Sequence, residues 1–469
     1  MKLTRREFML QTSACVGYAL GAAAFVAGVQ RFALINAFAQ GLDYRALVCV
    51  FLAGGNDGNN MVVPTSTTEY NQYSAARSAS GLAIAQDSLL PITPPSIGTS
   101  FGLHPSLADL QTLWGEQKLA VACNVGPLVQ PLTRADYLAG APRPYQLFSH
   151  SDQVAQWQTA ISDRVGSTGW GGRTAERFEV HPSGFPTITA LSGGIFSRGV
   201  TTSPLSIAPA PTPLNQVLVL NGFGTTADEV ARLNSMNFLR AIDISNSLVA
   251  GASRTTQQAV NIGQIFNSNN DVSLTTAFPN TTLGNQLLQV AKVIKFNSTA
   301  SALGLNRQIF FCQLGGFDTH QNQVNTQSNL LTQLSQAIKA FHDATIELGV
   351  DQQVTTFTLS DFGRTLQPAG TGAGVVGSDH AWGSHHFVVG GAVHGGDFYG
   401  VPGPSGTVFP QLQLGGPSDT DTRGRWIPTV SVEQYAATLA RWYGVGDADL
   451  SFVFPNIGRF STANLGFMG

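Results

Sequence analysis

The chain has 469 residues, a formal net charge of −3, 11% charged residues and four cysteines. It can bury a sizeable core, and it exceeds the size at which one core ordinarily stops growing, although large α/β enzymes reach this length as one decorated domain. It shows no run of Lys and Arg, which excludes the electrostatic footprint of a nucleic-acid-binding protein.

In chain order, the first feature is Thr4-Arg5-Arg6-Glu7-Phe8-Met9-Leu10. It resembles the twin-arginine consensus, two arginines ahead of an apolar residue, read by a receptor that exports folded cargo. An uncharged stretch follows from Phe8 to Gln30, and then Ala37-Phe38-Ala39, a small-x-small cleavage site. Residues 1–39 are therefore read as a signal peptide cut after Ala39, and 40–469 as a single domain with insertions. The alternative is a membrane anchor, because an uncharged run this long reaches across a bilayer. Its many Gly and Ala residues weaken it as an anchor and a cleavage site follows, so cleavage is the preferred reading. The expected location is periplasmic or secreted, without membrane attachment once the signal is removed.

Four apolar runs read as strands buried on both faces: Ala46 to Leu52, Leu119 to Val125, Gln308 to Leu314 and Val354 to Leu359. Their wide spacing leaves room for crossover helices, so the economical architecture is an α/β sandwich with a mainly parallel central sheet between helices. Helices are expected over His104 to Glu116, Ser151 to Ile161, Thr226 to Ala250, Thr281 to Phe296, Asn325 to Leu348 and Val432 to Tyr443. The stretches Ser192 to Pro213 and Pro402 to Thr422 read as a loop or insertion and a long surface excursion. Cys15 leaves with the signal. Cys49, Cys123 and Cys312 lie in apolar runs without a CxxC spacing, and are read as small core hydrophobes.

Ligands of open parallel sheets collect at the carboxyl ends of the strands, and four polar clusters stand at such places. They are Gly54-Gly55-Asn56-Asp57-Gly58-Asn59-Asn60, Gly315-Gly316-Phe317-Asp318-Thr319-His320, Ser360-Asp361-Phe362-Gly363-Arg364-Thr365, and Gly377-Ser378-Asp379-His380-Ala381-Trp382-Gly383-Ser384-His385-His386. Carboxylates and imidazoles without thiolates suit a divalent ion such as Zn²⁺ or Mn²⁺. A pair of such ions can clamp the attacking and leaving oxygens of a phosphoryl or sulfuryl transfer. Each cluster also has an ordinary structural reading: Asp57 a turn cap after Gly-Gly, Asp361 a cap after its strand, Asp318-Thr319-His320 a hydrogen-bonded turn, and one of His385 and His386 facing solvent or core.

At these residues the sequence resembles the bacterial proteins gathered as domain-of-unknown-function family 1501, a branch of the alkaline phosphatase and sulfatase superfamily. The resemblance covers nearly the whole mature chain. It rests on Leu52-Ala53-Gly54-Gly55-Asn56-Asp57, His104-Pro105-Ser106-Leu107, Ser149-His150, Gly169-Trp170-Gly171-Gly172-Arg173, the Asp318 and Asp361 clusters, Asp379-His380 and Tyr435-Ala436-Ala437-Thr438-Leu439. It implies an alkaline phosphatase-like fold and a site of one or two metal ions at the strand ends. Asp57 resembles the first-strand metal aspartate, Asp318 and His320 the aspartate-histidine pair of one metal, and Asp361 the aspartate that usually precedes His or Asn. Phe362 stands in that last place, which leaves a ligand missing or supplied by Asp379 or His380, and His385 falls near the second ion. The superfamily nucleophile sits at a helix start, where free N–H groups stabilise an anion. Ser149 resembles it, while an N-cap is the ordinary role of such a Ser.

The resulting expectation is an exported metal-dependent hydrolase of phosphate or sulfate esters, small or polymer-borne, with Ser149 as nucleophile and Arg364 as a bidentate anion clamp. The alternative is a non-catalytic exported protein that keeps the fold and one metal for structure or for a partner. Replacing Arg5 and Arg6 by Lys is expected to leave full-length precursor in the cytoplasm, and cell fractionation with immunoblotting checks it; normal export of that mutant would refute the signal reading.

Overall fold

A computed structural model describes residues 43–178, 184–219, 221–267, 272–299, 303–370 and 376–469. The proposed signal peptide lies outside these residues. Among them, no helix is long and apolar enough to cross a membrane.

The strands are β1 (Arg45–Ala53), β2 (Val62–Pro64), β3 (Leu90–Ile92), β4 (Phe101–Leu103), β5 (Leu119–Gly126), β6 (Ile188–Ala190), β7 (Leu205–Ser206), β8 (Arg307–Gly315), β9 (Val354–Ser360), β10 (Arg364–Pro368), β11 (Ser378–His380), β12 (Ser384–Gly390), β13 (Phe398–Tyr399) and β14 (Val430–Ser431). The main sheet is ordered β13-β5-β12-β9-β1-β8-β6-β7, with β14 also on β5. The pairings of β1 with β8 and β9, of β8 with β6, of β6 with β7 and of β5 with β13 and β14 are parallel. Among the described strands of this sheet β12 alone runs the other way, between β5 and β9. The sheet is thus mixed and mostly parallel. A small antiparallel sheet (β2-β4-β3) and the hairpin β10-β11 stand beside it.

Both faces of the sheet are covered, which explains why its central strands read as unbroken apolar runs. Along β1, Val48, Val50 and Leu52 enter one core and Leu47, Cys49 and Phe51 the other, following the period of two. The first core is closed by Leu287, Val290 and Ile294 of helix Thr282–Thr299, and by Leu331, Leu334 and Ile338 of helix Gln323–Glu347. The second packs Tyr435, Ala436 and Leu439 of helix Val432–Tyr443 with Trp157 and Trp170. Ser431 and Gln434 form a capping box at the start of that helix, and Gly444, at φ 118°, ends it. Cys49, Cys123 and Cys312 are buried and unpaired.

Three segments differ from the sequence reading. The single helix expected over Thr226 to Ala250 is two, Ala227–Arg240 and Ser247–Asn267, because Asp243 adopts φ 58° and the Asn246 side chain accepts from Leu248 N as a new cap. Within Ser192 to Pro213, Leu205–Ser206 pairs with β6 and extends the main sheet. Pro402 to Thr422 is not purely superficial, since Phe409, Leu412 and Asp419 are buried.

Helix Val432–Tyr443 also carries a buried acid. Glu433 has no exposure and neither carboxyl oxygen accepts a hydrogen bond of normal geometry. Burial pushes its pKa up to about 8, against an ordinary 4.5, with Ser431 and Asn456 offsetting only part of the effect. Between those values the folded chain keeps a proton that the unfolded chain releases. The stability associated with the protonated acid is therefore fully present below 4.5 and is lost as pH rises through about 8, at about 1.4 kcal/mol per unit. Glu433→Gln is expected to gain on the wild type in denaturant melts as pH rises from 5 to 8. A stability difference independent of pH in that window would overturn this account.

Candidate metal centre

Parallel register delivers the strand-end loops side by side. Ala53 pairs with Gly315 and Leu52 with Ser360, so the exits of β1, β8 and β9 leave one edge of the sheet together. Gly54 and Gly55 let them touch. At φ 116° and 85° both occupy the left-handed region, and a Cβ would collide with Asp318 N at the first and with the Phe362 ring at the second.

At that edge His150, Asp318 and His380 offer ligand atoms within 4.8 Å of one another. Asp318 Oδ1 lies 3.5 Å from His150 Nε2, 3.1 Å from His320 Nε2 and 3.7 Å from His380 Nε2. The Nε2 atoms of His320 and His380 are 2.9 Å apart. Each ring is held from behind through Nδ1. His150 bonds Asp361 Oδ2 at 2.7 Å, His320 bonds Asp379 Oδ1 at 3.2 Å, and His380 donates to the Phe148 carbonyl at 2.7 Å. Phe148 is held at φ 71°, an unusual conformation for a side chain of its size, and it is this residue that presents the carbonyl.

These partners decide where the protons sit. A carboxylate or carbonyl only accepts, so each neutral ring carries its hydrogen on Nδ1 and presents a lone pair at Nε2. In that form His150 Nε2, buried with no hydrogen-bond partner, and His380 Nε2 face the Asp318 carboxylate, and His320 Nε2 meets His380 Nε2 at 2.9 Å. Acceptors gathered in this way repel unless a proton or a cation lies between them, and the carboxylate- or carbonyl-backed imidazole is how metal-ligating histidines are oriented. The donor set therefore fits a divalent ion. The Asp361 hydrogen bond raises the His150 pKa, with burial opposing and the Asp361 and Asp318 charges adding. Burial lowers that of His380. Burial would raise Asp318 and Asp379, but the Arg364 guanidinium outweighs it at the first and Arg423 at the second, and both carboxyls lie below the ordinary range.

The residues expected from the sequence divide accordingly. Asp318, His320 and His380 come together. Asp361 and Asp379 stand one layer behind, as partners of His150 and His320, and Asp361 Oδ1 accepts from Gly54 N at 2.9 Å. Asp57 does not join. Its carboxylate is buried against Arg77, at 2.5 and 3.0 Å, and also accepts from Gln323 and Asn59 N, so a guanidinium supplies the positive charge there. His385 does not join either: it is stacked 4.5 Å from Phe409, and burial lowers its pKa to about 3. His386 likewise faces the core against Trp157. Phe362 is fully buried and packs on the rings of His150 and His380.

Arg364 is not an exposed clamp. It is 1% exposed and donates to the carbonyls of Gly55, Ser378 and Gly54 and to Asp318. Ser149 occupies the N-cap of helix His150–Thr159 without capping a backbone N–H, and its hydroxyl donates to Asp152 at 2.6 Å. His150, which the motifs bring in only through the Ser149-His150 pair, is the one candidate ligand absent from the sequence-derived set. A histidine opening a helix, beside a Ser at its N-cap, was the available signal.

Residues 44–408 match the family described as "Protein of unknown function (DUF1501)". No curated protein matches the chain. Among solved structures it is similar to the PsFucS1 sulfatase from Pseudoalteromonas sp., at 10% identity and a TM-score of 0.29, over 79% of this chain and 67% of that one. It is also similar to Ps i-CgsB in complex with k-i-k-neocarrahexaose, at 9% identity and a TM-score of 0.33, over 86% of this chain and 74% of that one. At those scores neither likeness carries a statement about activity.

The geometry predicts that Arg364→Lys acts on stability. An ammonium cannot reach three carbonyls and a carboxylate at once, and the acceptors left unpaired cost about 3 kcal/mol. Chemical denaturation measures it. Unchanged stability together with weakened sulfate or phosphate binding would restore the clamp.

Proposed function

The chain belongs to the DUF1501 family, and on that premise we propose that it binds one divalent ion, Zn²⁺ or Mn²⁺, between His150, His320, His380 and Asp318, and hydrolyses phosphate or sulfate esters after export. The observation that supports this reading most is the convergence of three carboxylate- or carbonyl-backed imidazoles on a half-exposed carboxylate. When bound, such an ion supplies Lewis-acid polarisation of an ester oxygen and neutralises charge as it develops. The protein's residues do the rest. Asp361, Asp379 and the Phe148 carbonyl fix the ring orientations, Arg364 holds Asp318 in place, and Phe362 packs against the rings of His150 and His380. Arg423 and Arg425, both partly exposed, supply positive charge on the Asp379–His380 side for an anionic substrate. Ser149 is the proposed nucleophile, with Asp152 placed to accept its proton.

A second reading, a metal held for structure alone, is favoured by one observation. His320 stands 3.1 Å from Asp318 beside the three convergent residues, and a fourth ligand would close a tetrahedral zinc site, whereas catalytic sites keep a position open.

Elemental analysis of the purified mature protein is expected to find one divalent ion per chain, and chelation to lower the melting temperature. Asp318→Asn and His380→Gln are expected to reduce both metal content and ester hydrolysis by at least about tenfold. A protein that retains metal yet hydrolyses no aryl sulfate, aryl phosphate or sulfated oligosaccharide would favour the structural reading. A wild type that purifies without metal and shows no thermal shift with Zn²⁺ or Mn²⁺ would remove both.

A further inference from the structure

The segment from Gly415 to Trp426 is organised around one acid. Asp419 is fully buried, and its carboxylate accepts four backbone N–H groups: Gly415 and Gly424 on Oδ2 at 3.0 and 2.9 Å, Asp421 and Arg425 on Oδ1 at 3.2 and 3.0 Å. An ionised carboxylate can take four such donors, while an amide offers one acceptor oxygen and two further hydrogens. The Arg134 side chain ties the carbonyls of Asp419 and Asp421 from outside. The loop is fastened to β10, since Leu366 N and Gln367 N donate to the Gly424 and Arg423 carbonyls. Gly424 sits at φ 72°, where a Cβ would collide with Leu366.

Two arms leave this loop for the metal centre. Arg423 reaches Asp379 Oδ2 at 2.7 Å, and the other oxygen of Asp379 holds His320 Nδ1. Arg425 Nε donates to the His380 backbone carbonyl at 2.9 Å, while its guanidinium lies 4.7 Å over Phe148, whose carbonyl holds the His380 ring. Two of the three histidines are thus braced by consecutive arms of a loop that supplies no ligand. We infer that Asp419 is a positioning residue for the metal centre, acting through Arg423 on His320 and through Arg425 on His380. The inference rests on the centre proposed above.

The test is a titration of metal-free protein with Co²⁺, reading the dissociation constant by chelator competition and the visible spectrum, which reports coordination geometry. Asp419→Asn places amide hydrogens against backbone donors and is expected to weaken Co²⁺ binding about tenfold and to alter the spectrum. Arg423→Gln and Arg425→Gln are each expected to reproduce part of that loss. In the Arg423→Gln/Arg425→Gln background, adding Asp419→Asn is expected to lower the melting temperature further but to cost no more Co²⁺ affinity, the non-additivity of groups acting in series. Wild-type affinity and spectrum in Asp419→Asn, despite a lowered melting temperature, would overturn the inference, as would a fully additive loss. If Asp419→Asn does not fold, the two arginine variants carry the test, and wild-type Co²⁺ binding in both overturns it. A wild type that binds no Co²⁺ defeats the centre itself, and the wild-type titration tells the two failures apart.

Discussion

Much of the architecture at the sheet edge hangs on one buried guanidinium. Arg364 donates to the carbonyls of Gly54 and Gly55 at the exit of β1, to Ser378 on β11, and to Asp318 beyond β8. Three excursions of the chain that share no sequence proximity are thereby held to a common point. Its charge also lets Asp318 remain an anion against the cost of partial burial. A buried arginine is tolerated only when its donors are satisfied, and here the acceptors that satisfy it are the backbone of the loops that form the centre. Fold stability and site geometry therefore share the same bonds.

Charge is arranged in two separate compartments. Around Asp57 a closed network of Arg77, Gln323, Asn60 and Tyr73 balances an acid inside the protein, with no exposure of either ion. Around Asp318 three imidazoles lie within 3.7 Å of one carboxylate oxygen, and the side chains reach solvent. The first arrangement is complete as it stands. The second leaves His150 Nε2 without a partner, so it has room for a cation where the Asp57 network has none, although both acids follow central strands.

The aromatic surroundings sharpen that difference. Phe362 packs under His150 and His380, and the Phe148 carbonyl holds His380, so the rings are fixed by contacts on their apolar sides and at Nδ1. With Nδ1 and the ring faces engaged, the rings have little freedom to turn away. Such preorganisation lowers the cost of gathering ligands.

Much of this was legible in the chain before any tertiary contact was known. The strands Ala46 to Leu52, Leu119 to Val125, Gln308 to Leu314 and Val354 to Leu359 stand out because burial on both faces leaves no polar alternation, and helix Val432–Tyr443 lies where the sequence places it. Placement of Asp318 and Asp361 at the strand ends follows from the same runs. What the chain could not reveal is which polar groups meet. His150 and Asp361 are 211 positions apart, and Asp57 and Arg77, though only 20 apart, lie on different elements whose packing brings them together. His385 looks as ligand-like in sequence as His380, yet β12 turns it into the core against Phe409 while β11 presents His380 at the edge. Sequence determines residue type, periodicity and local caps, because these depend on neighbours in the chain. The choice among histidines, and of which arginine partners which acid, was made by sheet register and loop packing, because it depends on neighbours in space.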